Sequence, residues 1–231
     1  MAEKRVAGRD GYHHGDLRQA MLDAAEAVLA ERGVGGFTLR ECARRAGVSA
    51  AAPAHHFGNL AGLLTAVATL GFDDISDAME AAAAQASATG GCRLAAICQA
   101  YLETALARPG RFRVVFGRRE LDTSDPEMQR AGTRAFGILV AETRAHRAGP
   151  AAPPPDPRPE GTAAAPDFAE ILLVWSLTHG FTMLLIDGQF DFLVGEAGTG
   201  TLLDLFSGRL MQLLVAAVAP DPALAKRRYD G

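Results

Sequence analysis

The residues in this chain with the chemistry for a site are few. Histidine occurs as two adjacent pairs, His13-His14 and His55-His56, and singly as His146 and His179. Adjacent side chains on a helix point about 100 degrees apart, and no cysteine or carboxylate cluster completes a coordination set, so no metal or cofactor is expected. Cys42, Cys92 and Cys98 are an odd number without metal-type spacing and read as reduced, buried small hydrophobes. No ordered Ser-His-Asp set or phosphate loop is visible, so an enzyme is not expected. Trp175, His179 and Met183 lie at i, i+4 and i+8, one helix face that serves either as core or as the wall of an apolar pocket with one polar contact. The most specific pattern is TLRECARRAGVSAAAPAHHF at 38 to 57, two short helices joined by a glycine turn, the layout of a DNA-reading helix-turn-helix.

The elements that must position these residues are helical throughout. Thr38 caps a helix over 39 to 46, Gly47 supplies the left-handed residue that ends it, Val48 plugs the turn, and Ser49 caps the second helix, with Pro53 close to its start. A scaffold helix is expected over 16 to 32 with the stripe Leu17, Met21, Ala25, Val28 and Leu29, stopped by Gly33. Residues 60 to about 86 form a long alanine-rich helix linking two domains. Further helices are expected over 92 to 107, ended by Pro109-Gly110, over 111 to 118, and from Pro126 to about 146 with Phe136 and Leu139 inward. Seven of the twelve prolines lie between Gly149 and Pro166, which reads as a flexible connection. Two strongly apolar helices follow, over 167 to 187 and 201 to 219, the second carrying Leu203, Phe206, Leu210, Leu213 and Ala217 three and four apart; the tail KRR at 226 to 228 is expected to fray.

Composition sets the class. A chain of 231 residues with 48% hydrophobic content can bury a substantial core, and no apolar run reaches the roughly 18 residues that span a bilayer. The N-terminal MAEKRVAGRDGYHHGD lacks a signal-peptide core, so a cytoplasmic location is expected. The net charge of −4 divides unevenly: residues 1 to 60 hold eight Lys or Arg and seven Asp or Glu, and the acidic excess lies in the remainder. Non-specific DNA affinity is therefore expected to be modest.

The segment from Tyr12 to Ser49, with Phe57 at the end of the second short helix, resembles the TetR family of transcriptional regulators. Far downstream, Trp175, His179 and Gly180 in WSLTHGF resemble the Trp and His-Gly signature of one effector-domain subgroup of that family. The resemblance implies an all-α chain: a three-helix DNA-binding domain over 1 to 59, and a larger effector-binding and dimerisation domain over 60 to 231 that includes the proline-rich loop at 149 to 166. It also implies a homodimer through the last two helices, whose symmetry presents two recognition helices to a pseudo-palindromic operator on double-stranded DNA. From the residues alone, those helices fit a monomer core or a dimer interface; a membrane hairpin fails on length and on Asp187, Asp204 and Arg209.

Carried onto this chain, the resemblance puts Ser49, Ala50, Ala51, Ala52, Ala54, His55 and His56 on or beside the recognition helix, with little polar reach for bidentate reading of bases. Ala54 stands where the family usually has Tyr, and Leu60 where it usually has a phosphate-contacting Lys; both departures weaken DNA binding. Lys4, Arg5 and Arg9 form either a minor-groove arm or a solvated tail, and Thr38 and Arg40 are phosphate candidates, with Arg40, Arg44 and Arg45 alternatively a solvated face. Effector candidates are Tyr101, Phe112, Phe116, Phe136, Trp175, His179 and Met183. The expected function is a regulator, a repressor by preference, released from DNA by a small apolar or amphipathic effector; the alternative is a ligand-binding or interaction protein whose DNA reading has weakened.

Overall fold

The computed structural model describes residues 14–117, 121–149, 168–194 and 198–219, and within them the structure is helix, turn and loop without a strand. The first helix, α1 (His14–Arg32), carries the expected stripe: Met21, Ala25, Val28 and Leu29 are buried, and Gly33, at φ 64°, ends it. A 3₁₀ turn (Val34–Gly36) leads to α2 (Leu39–Arg45) and α3 (Ala52–Phe57). Then α4 (Leu60–Thr89) runs unbroken for 30 residues, capped by the Asn59 side chain, which accepts from the Gly62 amide at 3.0 Å.

Two apolar cores share α4. Leu63, Leu64 and Val67, in its first turns, join Met21, Val28, Phe37, Cys42 and Phe57, whereas Ile75, Met79 and Ala83 face the second core. One continuous helix therefore contributes to both cores. The second core is built with α5 (Arg93–Ala107), α6 (Pro109–Phe116), α7 (Pro126–Ala148) and α8 (Phe168–Ile186). Pro109 lies in the first turn of α6, where a missing N–H costs least, so that helix begins two residues earlier than the sequence suggests. Asp125 caps α7, accepting from the Met128 amide at 2.9 Å.

The chain closes with the short α9 (Asp191–Val194), then α10 (Gly198–Leu205), a π-helical turn (Phe206–Leu210) and α11 (Met211–Ala217). The sequence suggests one regular helix over 201 to 219; the wide turn is the difference. It steps the buried face from Phe206 to Met211, so the inward row is Leu202, Phe206, Met211, Leu214 and Val218 rather than the one expected. Leu205 and Leu213 are left exposed. Phe181 of α8 stacks on Phe206 at 4.6 Å. By length and composition, α8 is the one described helix apolar enough to cross a membrane, although Glu170, Thr178 and His179 interrupt its apolar run.

One other expectation changes. Cys42 and Cys98 are buried, and burial raises both thiols to about 11, but Cys92 is exposed at the N-terminal end of α5 with its sulfur 3.9 Å from His146 Nδ1. The expected flexible connection at 149 to 166 and the basic tail at 226 to 228 lie outside the described residues, apart from Gly149.

Candidate functional site

The helix-turn-helix is assembled by backbone chemistry. Thr38 Oγ1 accepts from the Glu41 amide at 3.2 Å, which caps α2 and leaves the hydroxyl proton free to donate. At the other end Gly47, at φ 69°, allows its own amide to reach the Arg44 carbonyl and the Val48 amide to reach the Ala43 carbonyl at 3.0 Å. This double closure satisfies carbonyls that a helix end leaves open, and it turns half-buried Val48 against the DNA-domain core.

The recognition element begins later than a Ser49 cap requires. Ala51 occupies the cap position without a side-chain bond, because the chain first makes a turn in which the Ser49 carbonyl accepts from the Ala52 amide at 3.1 Å. Pro53 and Phe57 face inward, and Arg18 of α1 lies 5.8 Å from the Phe57 ring centre. Ser49, Ala50, Ala51, Ala54 and His55 are exposed, and His56 is half-buried. Ser49 and His55 are the exposed residues of this element with polar side chains.

The arginines of α2 divide into two kinds. Arg45 bonds both Glu31 of α1 and Glu41, and Arg44 holds Glu41 through two further bonds at 2.9 and 2.8 Å. These guanidinium groups, Arg44 first, hold the Glu41 carboxyl down at about 2. Arg45 therefore ties α2 to α1, whereas Arg44 is engaged within α2 itself. Arg40 is exposed and has no acidic partner among the described residues, which keeps it available to a phosphate. Lys4, Arg5, Arg9 and His13 lie outside the described residues.

In the larger half, α4 to α8 surround a cavity of about 590 Å³. Phe72, Ile75 and Met79 come from α4, Ile97, Cys98 and Tyr101 from α5, and Val115 and Phe116 from α6. Met128, Phe136 and Leu139 of α7, and Trp175 and Thr178 of α8, close the other side. Thr123, Gln129 and Thr133 border it with exposed side chains, and Gln129 Nε2 donates to the Thr123 carbonyl at 2.9 Å. No charged side chain lines the cavity among the described residues.

Of the effector candidates, Tyr101, Phe116, Phe136 and Trp175 line this cavity. Phe112 is fully buried behind it, edge-on to Tyr101 at 5.4 Å. His179 stands one layer back, its Nδ1 2.8 Å from Tyr101 Oη, 4.4 Å ring to ring from Phe116. Burial lowers the His179 pKa and raises that of Tyr101, so both are neutral at pH 7. Met183 packs against the core and is no part of the cavity wall. Sequence reasoning missed the α4 wall, with Phe72 and Met79, and Met128 of α7, because apolar helix positions that face a cavity and those that face a core have the same residue types.

The site connects to the DNA-binding half through α6. Val115 and Phe116 border the cavity, whereas the adjacent Val114 is buried in the DNA-domain core. Gly110 lies so close to Leu29 of α1 that an added Cβ would come within 2.9 Å of the leucine Cβ. Arg111, 9% exposed, bonds Glu26 of α1 at 2.5 Å and Asp74 of α4. A second connection is the loop before α7, where the Asp122 amide donates to Thr65 Oγ1 of α4 at 2.9 Å.

A helix-turn-helix domain joined by one long helix to an all-helical body with a cavity is the architecture of a DNA-binding transcriptional regulator. Comparison with known proteins gives the same class. The family model for bacterial regulatory proteins of the tetR family matches residues 21–67, and that for the tetracyclin repressor-like C-terminal domain matches residues 94–206. The chain belongs to the TetR family of transcriptional regulators. It is similar to a protein of unknown function from Rhodococcus sp. RHA1, with 27% identity, TM-score 0.68, and coverage of 91% of this chain and 100% of that one. A TetR family transcription regulator from Marinobacter aquaeolei VT8 shares the fold at 20% identity and TM-score 0.60, over 90% of this chain and 97% of the other. Comparison with curated proteins returns no match.

Proposed function

We propose that this chain is a cytoplasmic, ligand-responsive repressor that binds a pseudo-palindromic operator as a homodimer and leaves it when a small apolar or amphipathic molecule enters the cavity. The observation that carries the reading is α6, which forms part of the cavity wall with Val115 and Phe116 while Gly110, Arg111 and Val114 hold it to α1 and α4. A guest that displaces α6 changes the angle of the DNA-binding half, and with it the spacing of two recognition helices. A coupling of about 1–3 kcal/mol would change operator affinity by roughly 5- to 150-fold.

Dimerisation through the last helices is supported by their outward faces. Leu172, Leu173 and Leu184 of α8, Phe192 and Leu193 of α9, Leu205 of α10 and Leu213 of α11 are exposed, Phe192 by 82%. An apolar surface concentrated on consecutive helices favours a second copy of this chain, and exposed Asp187, Asp204 and Arg209 disfavour a lipid surface. Thr38, Arg40, Ser49, Ala50, Ala51, His55 and His56 would meet the operator, with Lys4 and Arg5 as an N-terminal arm.

A second reading, a ligand-binding protein with weakened DNA reading, is favoured by the exposed alanines at 50, 51 and 54 and by the engagement of Arg44 and Arg45 in ion pairs. Selection of bound DNA from a random pool, at low and at physiological salt, separates the two. Enrichment of a pseudo-palindrome is the expected result. Salt-sensitive retention without enrichment would refute the operator reading and leave the second.

A further inference from the structure

The cavity wall carries information about its guest. Two aromatic pairs belong to different walls: Phe72 and Phe116 meet edge to face at 5.9 Å on the α4 and α6 side, and Phe136 and Trp175 do so at 5.5 Å on the α7 and α8 side. Rings held in this way present both faces and edges to whatever lies between them, an arrangement that suits a flat π-system better than a flexible chain. Burying an ion there would cost far more than the walls return, since the described lining has no opposite charge and both Tyr101 and His179 are neutral.

One polar group in the wall is left unused. Thr178 borders the cavity, is 4% exposed, and its hydroxyl has no hydrogen-bond partner. Its neighbour there is the Cys98 thiol, a weak hydrogen-bonding group. Its carbonyl, by contrast, is engaged, accepting from Thr182 Oγ1 at 2.7 Å. An orphaned buried hydroxyl is costly, and a helical threonine has two accessible χ1 wells through which the hydroxyl can turn towards a guest.

We propose that the cavity takes an uncharged, flat aromatic molecule bearing a hydroxyl or carbonyl group, with the Thr178 hydroxyl as its hydrogen-bond anchor. The assignment rests on the reading of the cavity as the effector site and adds the class of effector. Volume is consistent with it, because 590 Å³ lies in the range of pockets that enclose a whole small molecule.

The chain has a single tryptophan, Trp175, and it lines the cavity, so its emission reports occupancy directly. The test titrates pyrene, 1-hydroxypyrene, 1-pyrenecarboxylate and the flexible 1-dodecanol into the full-length protein, following Trp175 emission and, for the pyrenes, energy transfer. We expect 1-hydroxypyrene to bind about 3- to 10-fold more tightly than pyrene, the worth of one hydrogen bond, and 1-pyrenecarboxylate at least about 10-fold more weakly than 1-hydroxypyrene. Thr178→Val should abolish the preference for the hydroxyl, leave pyrene affinity unchanged and shift the Tm of the free protein upward, whereas Thr178→Ser should retain the preference. Tightest binding by the carboxylate, or a hydroxyl preference that survives in Thr178→Val, would overturn the assignment while leaving the cavity reading intact. Binding of dodecanol alone would do the same. If none of the four probes altered Trp175 emission, both the assignment and the reading of this cavity as an effector site would fall.

Discussion

Replacing Arg111 by Met keeps the length and most of the apolar volume of the side chain while deleting the charge that joins three helices. In the native chain its two terminal nitrogens bond Glu26 of α1 and Asp74 of α4, and its Nε is buried without a partner. Loss of two charge-assisted bonds at about 1.5–3 kcal/mol each is offset by the relief of the unpartnered Nε, about 1–3 kcal/mol. The carboxylates rehydrate readily, being 29% and 34% exposed, so the full penalty of a broken buried pair is not reached. The net destabilisation is expected to be about 2–3 kcal/mol, a Tm decrease of roughly 4–12 °C for a chain of this size. Thermal unfolding of Arg111→Met, Glu26→Gln and the double variant forms a cycle in which the coupling should be about 1 kcal/mol or more. The same variant should bind a cavity ligand as before but transmit less of that binding to DNA, because α6 has lost the ion pair that adds to its Gly110 and Val114 contacts with the DNA-binding half. A coupling within about 0.3 kcal/mol of zero, together with unchanged ligand-driven release of DNA, would refute the assignment of Arg111 to this connection.

Other outcomes follow from local features. Glu41, held at about 2 by Arg44 and Arg45 against an ordinary value of 4.5, contributes stability that is fully present above pH 4.5 and lost as pH falls towards 2; acid titrations of wild type and Glu41→Gln should differ in that window. Gly47→Ala forces a Cβ into a backbone at φ 69° and should cost about 1 kcal/mol in chemical denaturation, with nothing crowding the added carbon; an unchanged midpoint would argue against the left-handed turn. Leu205→Arg combined with Leu213→Arg, both at exposed positions, should give a monomer by sedimentation without lowering helix content, and a dimer that survived would remove these helices from the interface.

Much of this protein was legible in local sequence. Capping, glycine punctuation and helical periodicity depend on neighbours within a few residues, so Thr38, Gly47, Pro126 and the long α4 could be assigned from residue types alone. Ser49 misled because the turn at 50 and 51 satisfies its carbonyl before α3 starts, a choice that local propensity leaves open among three alanines. The expected stripe on the last helix failed for a different reason: the π-helical turn moves the inward face by one residue, and the packing of Phe206 against Phe181 selects that phase.

Tertiary structure alone decided which apolar residues are wall and which are core. Phe112 and Phe116 lie one turn apart on α6, yet one is sealed behind the cavity and the other borders it, because the difference depends on where α5 and α8 pass. The same holds for charge. Arg40, Arg44 and Arg45 are indistinguishable as a basic cluster in sequence, and it is the approach of Glu31 from α1 that engages Arg45 while Arg40 stays free of acidic partners among the described residues. Sequence by itself determined most of the helices and those of their ends that a local cap or glycine sets, as at Gly33, Thr38, Gly47 and Pro126, since these follow from short-range chemistry. The cavity, its uncharged described lining, the Thr178 hydroxyl without a partner and the hold of α6 on α1 arise from contacts between residues tens of positions apart, which no local pattern encodes.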